Sequence, residues 1–262
     1  MQSDISDPES LKVIVENENE RFSLGRKGKD IYTERLIKPN NNNDVIFLIS
    51  FKKQVEFFET INKEKNLPRM IPIFLDWQIK TNYIMHFEEV SMPFIEHLEK
   101  FRLQKKIIPF SEVLMYFNVL LNGFCFMQLE GFETNQISIK DLFLTKKNDL
   151  KLLNYYNEEK KNDNRNFLGI LLTILNLNLD LELAKLTKDE LLKEIENVEI
   201  NYKGYIYEKE KEIYDKIIKC LKNEDNKKLD LFKLFTKTIN TQNKTNLKKM
   251  ILLKDGIYFI FF

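Results

Sequence analysis

The apolar positions of this chain change period twice along its length. Met1 to Glu20 is polar and acidic apart from a short apolar stretch at Leu11 to Val15, which reads as an arm or a first strand. The run Phe22-Ser-Leu-Gly25-Arg-Lys-Gly28-Lys-Asp-Ile31-Tyr32 then sets β-prone residues around a glycine pair, and Val45 to Phe51 is another short run of β-formers. Between them the asparagine-rich Pro39 to Asp44 reads as an exposed turn. Phe51 to Lys65 switches to helical spacing, with Val55, Phe58 and Ile61 on one stripe and Pro68 ending it. Ile71 to Trp77 and Asn82 to Phe87 follow as strands around a polar turn at Gln78 to Thr81. The predicted order is strand, strand, strand, helix, strand, strand.

From Ser91 to about Gln242 the period is helical. Helices are predicted over Pro93 to Phe101, Ser111 to Glu130, Asn164 to Leu177, Lys188 to Ile195, Glu208 to Leu221 and Asp230 to Ile239. Ser111 followed by Glu112 marks a capped start for the second. One interruption stands out: Ile137 to Leu144 and Leu150 to Leu153 flank the polar turn Lys146-Lys-Asn-Asp149, which predicts a hairpin between helices. The tail, Met250 to Phe262, is apolar around Asp255-Gly256 and predicts a second hairpin, docked on the body or on a partner.

Composition narrows the class. With 262 residues, 43% hydrophobic and 31% charged, the chain suits one two-lobed domain or two small ones with a real core. A formal charge of +1 gives no field that would draw nucleic acid or anionic lipid, and Lys52-Lys53, Lys105-Lys106 and Lys227-Lys228 read as solvated faces. The start lacks a signal peptide's basic and apolar regions, and no uninterrupted apolar run approaches a membrane span, so a soluble, cytoplasmic protein is expected. Cys125 and Cys220 lie far apart in helical patterns, and His86 and His97 are too few to complete a metal or catalytic set.

The element order and several stretches resemble the protein kinase superfamily over roughly Phe22 to Asn240. Thr134-Asn-Gln136-Ile-Ser138-Ile-Lys-Asp141-Leu-Phe-Leu144 lies where that family writes H-R-D-L-x-x-x-N and its trailing strand. Leu150-Lys-Leu-Leu-Asn154-Tyr-Tyr156 lies where the strand into D-F-G belongs. Phe167 to Leu172 looks like the start of the family's buried helix, Ile217 to Lys228 is similar to its later cysteine-leucine helix, and Tyr83 to Glu88 resembles the strand entering its hinge. The resemblance implies an α+β, protein kinase-like two-lobed fold: an arm over 1–21, a β-rich N-lobe with one helix over 22–90, a helical C-lobe with a truncated activation segment over 91–242, and a tail over 243–262.

It also implies lost chemistry. Phosphoryl transfer on this fold is positioning plus charge neutralisation, by a base, metal-holding residues and a lysine held by a glutamate. Gln136 stands at the base position, an amide that takes no proton at neutral pH. Asn154 stands at the metal-binding Asp, a weaker ligand for a hard divalent ion, while Asp141 replaces the family's Asn. The lysine of strand three maps to Ser50, with Lys52 two residues on, and Glu59 is its expected helical partner. Gly25 and Gly28 are what remains of the glycine-rich loop, and Met85, His86 and Phe87 would border a vestigial nucleotide cleft. Only residues 155–163 separate Asn154 from Asn164, too few for an activation loop and a peptide platform.

The expectation is therefore a pseudokinase, a scaffold or regulator with no catalytic residues and no metal. No cofactor is expected, ATP without magnesium being the one its cleft would still admit. The expected partner is a protein, an active kinase among the candidates, and not nucleic acid or membrane. Two alternatives stay open: a divergent kinase that binds ATP through compensating Lys52, Asp141, Glu158 or Glu159, and an unrelated α+β binding module.

Overall fold

The structure is a computed structural model that describes residues 9–38, 44–64, 67–79, 81–130, 132, 137–155, 165–181, 185–222, 251–253 and 256–258. The α+β class expected from the sequence holds: a β-rich N-terminal part is followed by a helical C-terminal part. The chain divides into two compact units, Met1–Phe94 with Lys140–Asn157, and Ile95–Ile139 with Glu158–Phe262.

The first unit carries a five-stranded antiparallel sheet built from β1 (Glu9–Glu16), β2 (Glu20–Lys27), β3 (Asp30–Ile37), β4 (Phe74–Ile79) and β5 (Tyr83–Glu88) in the order β1-β2-β3-β5-β4. The stretch Leu11 to Val15 thus belongs to the first strand. Helix α1 (Asp44–Ile61) follows β3. Its buried Phe51 meets Trp77 and Tyr83, and its buried Phe58 meets Phe74 and Phe87. A smaller sheet joins β6 (Met92–Pro93), β7 (Leu142–Leu144) and β8 (Leu150–Leu152), with a 3-10 turn over Ile139–Asp141 leading into β7. That is the internal hairpin the sequence predicts.

The strand expected over Val45 to Phe51 is instead the first half of α1. Val, Ile and Phe favour strands only where a pleated, half-buried surface receives them. Here Phe51, Gln54, Val55, Phe58 and Ile61 recur at helical spacing and are buried, so packing overrides the local preference. The third strand lies earlier, at Asp30–Ile37, which moves every residue assigned to it.

In the second unit, α3 (Phe110–Leu129) is the apolar core helix, preceded by α2 (Phe94–Leu103) and followed by α4 (Arg165–Asn176), α5 (Lys188–Tyr202) and α6 (Glu208–Lys222). Helix α3 is long and apolar enough to cross a membrane, although polar residues interrupt it, and 61% of that window is buried. Phe117 and Phe124 pack on Phe167 of α4, and Tyr202 of α5 donates to the Ile108 carbonyl at 2.8 Å. Pro109, not Ser111, occupies the N-cap of α3, with no side-chain cap bond. The capping box falls on α5, where Thr187 accepts from the Glu190 N–H and the Glu190 carboxylate accepts from the Thr187 N–H. The tail forms the expected hairpin, β9 (Ile251–Leu253) against β10 (Gly256–Tyr258), while the helix expected over Asp230 to Ile239 lies outside the described residues.

A row of charges crosses the large sheet. Arg21 on β2 is 3.9 Å from Glu34 on β3, Glu34 is 3.5 Å from His86 on β5, and His86 also pairs with Asp76 on β4. Burial alone would pull the His86 pKa down, but the hydrogen bonds and charges of Glu34 and Asp76 outweigh it, so it stands above the ordinary histidine value. The imidazolium form is the one the fold favours. Its stabilisation is complete below the unfolded value of about 6.5 and is lost as pH rises through the higher folded value.

Two outcomes follow. In denaturant titrations, the stability difference between wild type and His86→Gln should be larger near about pH 6 than near about pH 9. Thr187→Ala should cost about 1 kcal/mol by removing the α5 cap, read from the unfolding midpoint.

Candidate functional site

Arg35 sits in the middle of β3, opposite Phe22 of β2 and Met85 of β5, with a side chain that is completely buried. A guanidinium has five N–H donors and no acceptor, and each must find a partner once water is excluded. Here all five do. Nε and Nη2 donate to Glu20 Oε2 at 3.0 and 2.9 Å, and the second Nη2 hydrogen goes to Asn154 Oδ1 at 2.7 Å. Nη1 donates to Gln54 Oε1 at 2.6 Å and to the Leu153 carbonyl at 3.4 Å. The cation lies 5.5 Å from the Phe22 ring centroid, and Phe22 packs on Phe143 of β7.

Local sequence places each acceptor. Asn17 accepts from the Asn19 and Glu20 N–H groups, an Asx-type turn that fixes the start of β2 and so the position of Glu20. Gln54 and Phe57 are three apart on α1 and share a side, so as Gln54 meets Arg35, Phe57 stacks on Tyr155 with ring centroids 4.0 Å apart. Leu153 is held by its N–H to the Asp141 carbonyl, and Leu152 by its N–H to the Met70 carbonyl.

The Asn154 amide has one orientation available. Its oxygen must face the Arg35 donor, so its NH₂ faces Asp141 and donates to Oδ1 at 2.9 Å. Asp141 and Asn154 are both buried and in direct contact.

The other expected site residues scatter. Ser50 and Lys52 are on α1, not on a strand, and Lys52 is exposed. Glu59, also exposed, accepts from Trp77 Nε1 at 2.9 Å and does not face Arg35. Met85 and Phe87 are wholly buried core residues of β5, and His86 belongs to the charge row above. Gly25 has a packing reason: it pairs with Tyr32, and a Cβ there would come within 2.5 Å of the Tyr32 ring. Gly28 holds the β2–β3 turn at φ +64°, where glycine is favoured. Ser138 precedes the 3-10 turn, and Gln136 lies outside the described residues.

No family model matches this chain, and no curated protein matches it. Among solved structures it is similar to the crystal structure of the kinase domain of PF14_0431, with a TM-score of 0.63 and 11% identity, covering 87% of this chain and 93% of that one. The fold is that of a kinase domain. Kinases carry the phosphate-gripping lysine on their third strand and its glutamate on the next helix. In this kinase-like chain those elements, β3 and α1, present Arg35 and Gln54 to each other. Sequence reasoning missed both because it sought a lysine after the asparagine-rich turn. The signal was a lone cation in the alternation Ile31, Thr33, Arg35, Ile37.

Nucleotide with magnesium does not fit this donor set. The Arg35 guanidinium has no N–H left for a phosphate, and a divalent ion between Asp141 and Asn154 would meet amide hydrogens beside a guanidinium. Lys151 is likewise engaged, 2.7 Å from Glu88.

Arg35→Met should lower unfolding free energy by about 3 kcal/mol or more, because Glu20 and two buried amides lose their partner. Lys52→Ala should change it by less than about 0.5 kcal/mol. Urea titration of the two variants checks the pair.

Proposed function

We propose that this chain is a catalytically inert kinase-like domain, a pseudokinase that works by binding a protein. The observation that carries the reading is the complete internal use of the Arg35 guanidinium on the strand where a kinase carries its phosphate-gripping lysine. The rest of the machinery is altered in the same sense. By the resemblance, Gln136 stands for the base, and Asn154 stands for the metal-holding Asp. Residues 155–163 leave no length for a substrate platform.

A protein-binding role is supported by the sheet edge. β4 is an outer strand, and Leu75, Trp77 and Ile79 on it are 52%, 40% and 44% exposed. Aromatic and aliphatic side chains on an edge strand are what partners cover. The partner is proposed to be a protein, with an active kinase one candidate, and the setting to be the cytoplasm.

The test is a thermal-shift titration of purified protein with ATP, with and without magnesium, alongside transfer of labelled phosphate to a generic peptide substrate. A nucleotide at a hundred times its Kd would add about 2.7 kcal/mol and raise the midpoint by several degrees. The expected result is no rise and no label; either one would contradict the reading.

A further inference from the structure

Arg35 joins three parts of the first unit that are distant in sequence. Glu20 starts β2, Gln54 is in the middle of α1, and Leu153 and Asn154 follow β8. In a working kinase the corresponding tie is conditional: the lysine must reach a glutamate on the helix, and the aspartate of the triplet must hold magnesium. Both conditions are removed here. The guanidinium reaches residue 154 directly, donating to Asn154 Oδ1 at 2.7 Å.

The counter-charge has also changed element. Gln54 is neutral, and the carboxylate on Arg35 comes from Glu20, on the strand next to β3 in the same sheet. The ion pair therefore forms inside the sheet and does not depend on where α1 stands. α1 and the segment after β8 are then recruited by donors that the pair leaves over, Nη1 and one Nη2 hydrogen. The stacking of Phe57 on Tyr155 joins those two recruited elements to each other.

We propose that Arg35 is a built-in ligand: it does the structural work that nucleotide and metal do in a kinase, holding α1 and residues 153–155 against the sheet with nothing bound. This rests on the inert reading above and adds how the domain is kept in one conformation. Such a unit presents the same surface at all times, without a ligand or a modification to set it.

Hydrogen exchange by mass spectrometry on the full chain tests it, with peptides covering α1, residues 150–155, and α3 as a control. In wild type, α1 and 150–155 should be protected, and ATP with magnesium should leave them unchanged. Arg35→Met should speed exchange in both segments about tenfold or more while α3 holds. Gln54→Leu should loosen α1 without loosening 150–155. Where the Met variant also loosens α3, and so fails to fold, Arg35→Lys decides: it keeps the charge but loses the planar fork, and both segments should still exchange faster. Wild-type rates in the Lys variant, or in a Met variant whose α3 holds, overturn the proposal while leaving the inert reading in place. Protection of wild-type α1 by ATP with magnesium overturns the inert reading itself.

Discussion

A guanidinium withdrawn from water must have every N–H met, or the cost of burying it unfolds the site around it. That constraint organises the first unit. It needs Glu20 at the start of β2, Gln54 on α1, and a carbonyl and an amide oxygen after β8, each within hydrogen-bond reach of the guanidinium. The aromatic packing around it, Phe22 on Phe143 and Phe57 on Tyr155, excludes the water that would otherwise compete for those hydrogens.

The same constraint explains why these side chains go together. A lysine at position 35 would offer a compact point charge with rotatable donors and leave planar acceptors mismatched. An aspartate at 154 would put a second carboxylate beside Asp141, from which the Asn154 amide now separates the guanidinium by a chain of two hydrogen bonds. The amide at 154 and the carboxylate at 141 suit an internal cation: the amide oxygen accepts from Arg35 and its NH₂ donates to Asp141. Fold and chemistry separate here: the strand order and hairpin persist through apolar packing, while a handful of polar side chains decide what the site can hold.

Much of this was legible from residue order, and the failures are physical. The β7–β8 hairpin, α4 and α6 follow directly from short apolar runs and helical spacing. The start of α1 does not, because Val45-Ile-Phe-Leu-Ile49 satisfies strand and buried-helix patterns equally until its tertiary partner is known. That single ambiguity displaced strand three and pointed to Ser50, Lys52 and Glu59. Arg35 and Glu20 are fifteen residues apart across a hairpin, and Arg35 and Asn154 are 119 apart, so their convergence depends on topology. The Thr187-x-x-Glu190 spacing is itself a capping-box signature, whereas Ser111 lacks a partner at that spacing.

The central claim concerns hydrogens, and solution NMR sees them. In the full chain labelled with ¹⁵N-arginine, the Arg35 guanidinium should give separate, slowly exchanging Nη–H signals, because each hydrogen is held by its own acceptor. Those signals should not move when ATP is added, with magnesium or without. Rapidly exchanging, averaged Nη signals, or a shift of the Arg35 resonances on adding nucleotide, would contradict the account.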